Sequence, residues 1–278
     1  MKFGVNAFLW TAGWNASNLT LLPRVRELGF DGIELVSFDF SGFPAVETRR
    51  ALAENKMGAT FCTAFIGDMS LASADASVRQ KTAQFLTDGI KAAAESGCQV
   101  LAGPFCTAVG YLPGHRRTAD EWNRVVEELQ AIAPVAEKHG ISLAIEPLNR
   151  FESYFLNLAE DGVKLCEQVG HPNVGLLIDT FHANIEEKDV AAAYRTAGKY
   201  LKHVHTCEND RGAPGSGHVD WKGVFAALKE VRYDGWLVIE SFGSQVKEIA
   251  TAACIWRDLA PSPESLASEG LRFLKSLA

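Results

Sequence analysis

Four residues of metal-ligating type recur in this chain, each at the end of a short apolar run. Glu146 closes SLAIE, Asp179 closes VGLLID, His205 closes LKHVH and Glu240 closes WLVIE. They stand 33, 26 and 35 residues apart, each about the length of one strand–helix–strand unit. Three carboxylates and one imidazole make an oxygen-rich set with a single nitrogen. Such a set suits Mn2+, Mg2+ or Co2+ better than a thiolate-seeking metal. A lone Asp or Glu after a strand is commonly a helix cap or an ion-pair partner. Four in four successive strands is a different case, because burying three like charges together is very costly without a cation.

For these residues to meet, the elements that carry them must curve around one axis. Strand-like runs are expected at Lys2–Asn6, Gly32–Leu35, Ala59–Phe65, Val100–Ala102, Ser142–Glu146, Val174–Asp179, Leu201–His205 and Trp236–Glu240. Amphipathic stretches lie between them. In 119–139, Trp122, Val125, Val126, Leu129, Ile132, Ala133 and Ala136 fall at helical spacing. Thr118 or Asp120 is available to cap that helix and Gly140 to stop it. Eight strand–helix units, with an extra helix over Pro263–Leu277, predict an α/β fold: a (β/α)8 TIM barrel. The open doubly wound sheet would want a GxGxxG turn after its first strand, and none is present. No Pro/Ser-rich linker divides the chain, so residues 1–278 read as one catalytic domain. In a barrel, units five to eight form a contiguous arc, and their tips converge at the C-terminal mouth where barrel active sites sit.

Composition narrows the function classes. With 47% apolar residues among 278, the chain can build one large core. Its net charge of −7 comes with no Lys/Arg cluster, which argues against a nucleic-acid partner. No stretch reads as a signal peptide or a membrane span. The six cysteines (62, 98, 106, 166, 207 and 254) include no CxxC pair and are expected as reduced thiols in a cytoplasmic protein.

The segments IEPLNRFESY, IDTFHANIEE, HVHTCENDRGAPGSGHVDW and YDGWLVIESF resemble the ketose 3-epimerases. That family of D-tagatose, D-psicose (allulose) and L-ribulose 3-epimerases lies within the xylose-isomerase-like barrels. The resemblance covers most of the chain and is strongest from about Ala144 to Trp256. It implies that Glu146, Asp179, His205 and Glu240 bind a divalent metal, Mn2+ first and Co2+ or Mg2+ as alternatives. It further implies that Glu146 and Glu240 form the acid/base pair and that Glu152, His182 and Arg211 hydrogen-bond the sugar. Phe242, with Trp14, is expected as the apolar wall. A homodimer or homotetramer is the assembly the family suggests. The first strand, GVNAFLW, departs from some members at Asn6 and Phe8, where the pocket meets the far end of the sugar.

The chemistry implied is inversion at C3 of a ketose through a cis-enediolate. The C3 hydrogen is acidic because the C2 carbonyl takes up the electrons; one carboxylate removes the proton and the other returns one on the opposite face. The GAPGSG segment, Gly212–Gly217, follows the seventh strand, where barrels often bind phosphate. Only Arg211 accompanies it, so it reads as a flexible active-site loop and the expected substrate is a free ketose. An aldose–ketose or hydroxypyruvate isomerase on the same scaffold is the alternative. An apurinic-type nuclease would want more than the seven histidines present.

Overall fold

In the computed structural model, which describes residues Met1 to Ala278, eight parallel strands close on themselves. They are β1 (Lys2–Asn6), β2 (Gly32–Val36), β3 (Gly58–Cys62), β4 (Val100–Gly103), β5 (Ser142–Ile145), β6 (Val174–Asp179), β7 (Leu201–Thr206) and β8 (Trp236–Ile239). The ring is sealed by β1 and β8, paired from Lys2–Trp236 to Val5–Ile239. The expected TIM barrel is therefore the fold.

Alternation along each strand sends every second side chain inward, and the barrel interior is built in levels. At the floor, the Trp236 ring lies against β2 and β3. A Cβ on Gly32 would stand 2.4 Å from the Gly58 carbonyl oxygen and 2.5 Å from that ring, so only glycine admits the plug. One level up, Asn6, Glu34 and Thr60 lie in register across β1, β2 and β3. The facing half of the interior is filled by Val100, Ala102, Ala144 and Leu177, a small apolar cluster separate from the main core. The main core lies between the barrel and its surrounding helices.

Those helices follow the sequence pattern. Helix Ala119–Lys138 starts at Thr118, whose side chain accepts from the Glu121 amide while Glu121 reaches back, and it buries Val125, Leu129, Ile132, Ala133 and Ala136. The C-terminal helix spans Pro263–Lys275, two residues shorter than expected, capped by Ser262 and burying Leu266, Leu271 and Leu274. The larger difference is β3, which ends at Cys62 rather than Phe65. The apolar run continues past the strand because Phe65 packs on Phe85 and Phe105; hydrophobicity marks burial there, not a ladder. None of the six cysteines is bridged, and no helix is long and apolar enough to cross a membrane.

Candidate active site

The four ligand-type residues converge. One donor atom from each of Glu146, Asp179, His205 and Glu240 lies within 4.8 Å of the others, and all four residues are buried. Asp179 is the last residue of β6, and His205 the penultimate one of β7. Glu146 and Glu240 stand one residue beyond β5 and β8, but their amides still donate to the Gly103 and Thr206 carbonyls of the neighbouring strands β4 and β7. The ladder thus aims all four side chains at the C-terminal mouth.

Two buried atoms in this ring, Glu146 Oε1 and His205 Nδ1, have no hydrogen-bond partner. His205 Nδ1 faces Glu240 Oε2 at 3.2 Å and Glu146 Oε1 at 4.0 Å. Burial disfavours charge on His205, yet Glu240 and Glu34 on its two sides outweigh burial and raise its proton affinity. The place between Nδ1 and the carboxylates therefore calls for positive charge. A hard divalent cation answers that call, since the donors are three carboxylates and one imidazole nitrogen. Burial, then the neighbouring Glu240 charge, pushes the Glu146 carboxyl well up. Burial also raises Glu240, but His205 and Arg211 outweigh it and hold that carboxyl low.

Arg211 and His182 stand over the ring. The guanidinium of Arg211 is buried between the rings of Phe181 and Phe242, 4.1 and 4.9 Å from their centres. Its Nη1 donates to Glu240 (2.8 Å) and to Asp179, and Nη2 lies 2.9 Å from His182 Nε2. Burial and the adjoining Arg211 push His182 down to about 3, so the ring is neutral. Its Nδ1 accepts from the Asn149 amide at 3.1 Å, which leaves the hydrogen on Nε2. His182 Nε2–H and Arg211 Nη2 are then two donors only 2.9 Å apart, an unfavourable facing that a ligand oxygen accepting from both would relieve. Glu152 lines the pocket and accepts from Asn149 Nδ2 at 2.8 Å.

Above this polar base, Phe8, Phe38, Ile66, Val109 and Phe242 form the wall. Phe8 stacks on Phe38 with ring centres 5.6 Å apart and meets Phe242 edge-on at 6.3 Å. Trp14 departs from expectation: it is buried outside this pocket, with its indole N–H donating to Thr48 Oγ1 at 3.0 Å. A buried indole goes where its N–H has a partner, and here that is the helix Ala45–Glu54. The Gly212–Gly217 segment also differs from the flexible loop expected. The buried Glu208 carboxylate accepts from the amides of Gly215 and Val219 and from the Trp221 indole, and Gly215 packs against Phe273. The tie fixes the backbone around Arg211, which sits at φ +66°.

Sequence reasoning missed Glu34, Asn149, His203 and Cys62. His203 stands two residues before His205, hence on the same strand face, and that parity was the available signal. Asn149 lies inside a segment already singled out. Cys62 lines the pocket, but nothing in its context distinguishes it from a core cysteine.

Residues 22–277 match the family model described as xylose isomerase-like TIM barrel. The chain is 38% identical over 99% of its length to a probable ketose 3-epimerase of Synechocystis sp., covering 96% of that protein. It is 33% identical to a D-psicose 3-epimerase of Ruminiclostridium cellulolyticum, covering 94% of this chain and 90% of that one. Among solved structures, D-allulose 3-epimerase from Methylomonas sp. superposes with a TM-score of 0.95 at 29% identity, over 100% of this chain and 98% of that one. D-psicose 3-epimerase from Clostridium cellulolyticum H10, solved with D-tagatose, gives 0.93 at 30% identity, over 100% and 99%. On these likenesses the chain is an isomerase and belongs to the ketose 3-epimerase family of xylose isomerase-like TIM barrels.

Proposed function

We propose that this protein inverts C3 of a free ketose, with residues 1–278 acting as one catalytic unit and with Glu146 and Glu240 as the proton-transfer pair. The observation that carries the reading is the buried ring of three carboxylates and one imidazole, with two unpartnered atoms facing its centre. Glu146, Asp179, His205 and Glu240 would hold the metal, Mn2+ in preference to Co2+ or Mg2+. When bound, the ion polarises the sugar carbonyl and offsets the charge that develops as C3 loses its proton.

The chain's own residues do the rest. Glu146 follows β5 and Glu240 follows β8, so the two carboxylates flank the substrate from different sides of the mouth. For either stereoisomer one carboxylate takes the C3 proton and the other delivers a proton to the opposite face, through a cis-enediolate of the sugar, and the two exchange roles in the reverse direction. His182 Nε2–H and Arg211 Nη2 donate to oxygens at the carbonyl end, and Glu152 accepts from a hydroxyl. Phe242 and Phe8 exclude water from one face of the sugar. Arg211 and His182 are the basic side chains lining the pocket, and both are turned toward the carboxylates, which favours a free sugar over its phosphate. Incubation with D-fructose or D-tagatose and Mn2+, followed by sugar chromatography, tests the reading: the C3 epimer should form. Turnover of the phosphorylated sugars with the higher kcat/KM would overturn the free-sugar assignment, and formation of an aldose in place of the epimer would overturn C3 as the reacting carbon.

A further inference from the structure

Beneath the four-residue ring lies a second polar cluster that the proposed chemistry does not use. Glu34, in the middle of β2, is fully buried and accepts four hydrogen bonds, two on each oxygen. Oε1 receives Asn6 Nδ2 at 3.0 Å and His205 Nε2 at 2.6 Å. Oε2 receives Thr60 Oγ1 at 2.8 Å and His203 Nε2 at 2.7 Å. The donors come from β1 and β3, which flank β2, and from β7 across the barrel interior. A carboxylate meeting four donors in the centre of a barrel is costly to bury unless each is well made; here all four lie within hydrogen-bond distance, and the two from histidines are the shortest. The small apolar interior cluster sits on the other side, on β4 to β6, so the polar group is confined to the side that supports His205.

We infer that Glu34 is a positioning residue for the metal centre: it holds the hydrogen of His205 on Nε2 and so turns the Nδ1 lone pair up into the ring of Glu146, Asp179 and Glu240. A neutral imidazole carries one hydrogen, and the nitrogen that donates to a carboxylate leaves the other free to ligate. Metal-ligating histidines commonly rely on such a carboxylate, which fixes the ring orientation and raises its basicity. His203 does not reach the ring. It occupies Oε2 together with Thr60 and thereby keeps Oε1 turned to His205. Its own Nδ1 has no partner.

The inference rests on the metal reading of the upper ring, and the test separates the two. Mn2+ affinity is measured by titration calorimetry on the wild type, Glu34→Gln and Thr60→Val, with folding checked by circular dichroism. Glu34→Gln keeps the size but can no longer accept from both histidines, so Mn2+ should bind about 10- to 100-fold more weakly. Thr60→Val removes one donor to the same carboxylate without touching a histidine, and its Mn2+ affinity should stay within about threefold of wild type because the His205 bond remains. Equal affinity in wild type and Glu34→Gln would overturn the positioning role, as would equal losses in both variants, which would mark a merely structural cluster. No Mn2+ binding by the wild type would overturn the metal reading itself. Should Glu34→Gln fail to fold, the wild type decides: 15N–1H NMR of the Mg2+-saturated protein should show His205 with its hydrogen on Nε2, and hydrogen on Nδ1 would refute the assignment.

Discussion

The two halves of the barrel mouth are built from different materials. The arc from β5 to β8 supplies the charged residues: Glu146, Asp179, His205 and Glu240 on the strand ends, and His182 and Arg211 just beyond. The arc from β1 to β4 brings no charged side chain to the pocket and supplies wall: Phe8, Phe38, Ile66 and Val109 from the segments after its strands, with Cys62 at a strand end, and Phe242 after β8 completes that wall. One half can move protons and hold a cation, and the other can only shape and dry the space. Reaction type should therefore reside in β5–β8, and the choice among sugars in β1–β4. Glu34 is the exception, a charged residue of the apolar arc that reaches across the interior to the other half.

That division can be broken by substitution. The largest effect is expected from Glu240→Gln or Glu146→Gln, either of which should lower kcat on the order of 10³-fold or more while sugar still binds. Near-normal turnover in Glu240→Gln, measured by steady-state kinetics, would remove the two-carboxylate mechanism. Exhaustive chelation should abolish activity and lower the melting temperature, because an ion bound only by the native state adds about 2.7 kcal/mol when its free concentration is a hundredfold above Kd. Full activity with no metal by elemental analysis would contradict the site. His182→Ala and Arg211→Ala should come next. They should lose substrate binding or turnover, on the order of 10²-fold for a group that stabilises developing charge, and retain the metal. Metal loss in either would mean that the ligand set is drawn wrongly. The smallest effect is expected across the mouth: Phe38→Leu should change KM and the ranking of ketoses by about tenfold at most, with Mn2+ affinity unaltered. A collapse of kcat in Phe38→Leu would erase the distinction between the arcs.

The same division explains what could be read in advance. A carboxylate or histidine at the end of an apolar run stands out, and four such residues one unit apart announce both the barrel and its charged arc. The wall does not stand out, because Phe8 and Phe38 have the composition of core residues and their exposure to the pocket depends on where the strands stop. Trp14 shows the same limit: the resemblance implies a place in the pocket wall, but Thr48, 34 residues away, claims its N–H. The Gly212–Gly217 segment shows the reverse error. Glycine and proline suggested freedom, while the restraint comes from Glu208, whose carboxylate gathers two amides and an indole that no local pattern reveals. Glu34 was legible only in part; a charged residue between Ile33 and Leu35 must be either exposed or paired, and its partners lie on other strands.

Whether this mouth moves a proton at C3 is read most directly from a reaction run in heavy water. With D-tagatose and Mn2+, the epimerised product should carry deuterium at C3, because a carboxylate exchanges its proton with solvent between turnovers. Glu240→Gln should reduce the rate of that incorporation along with kcat. Deuterium at C1 would assign the chemistry to aldose–ketose isomerisation, and epimer formed with no deuterium at C3 would contradict proton return from a solvent-exchanging carboxylate.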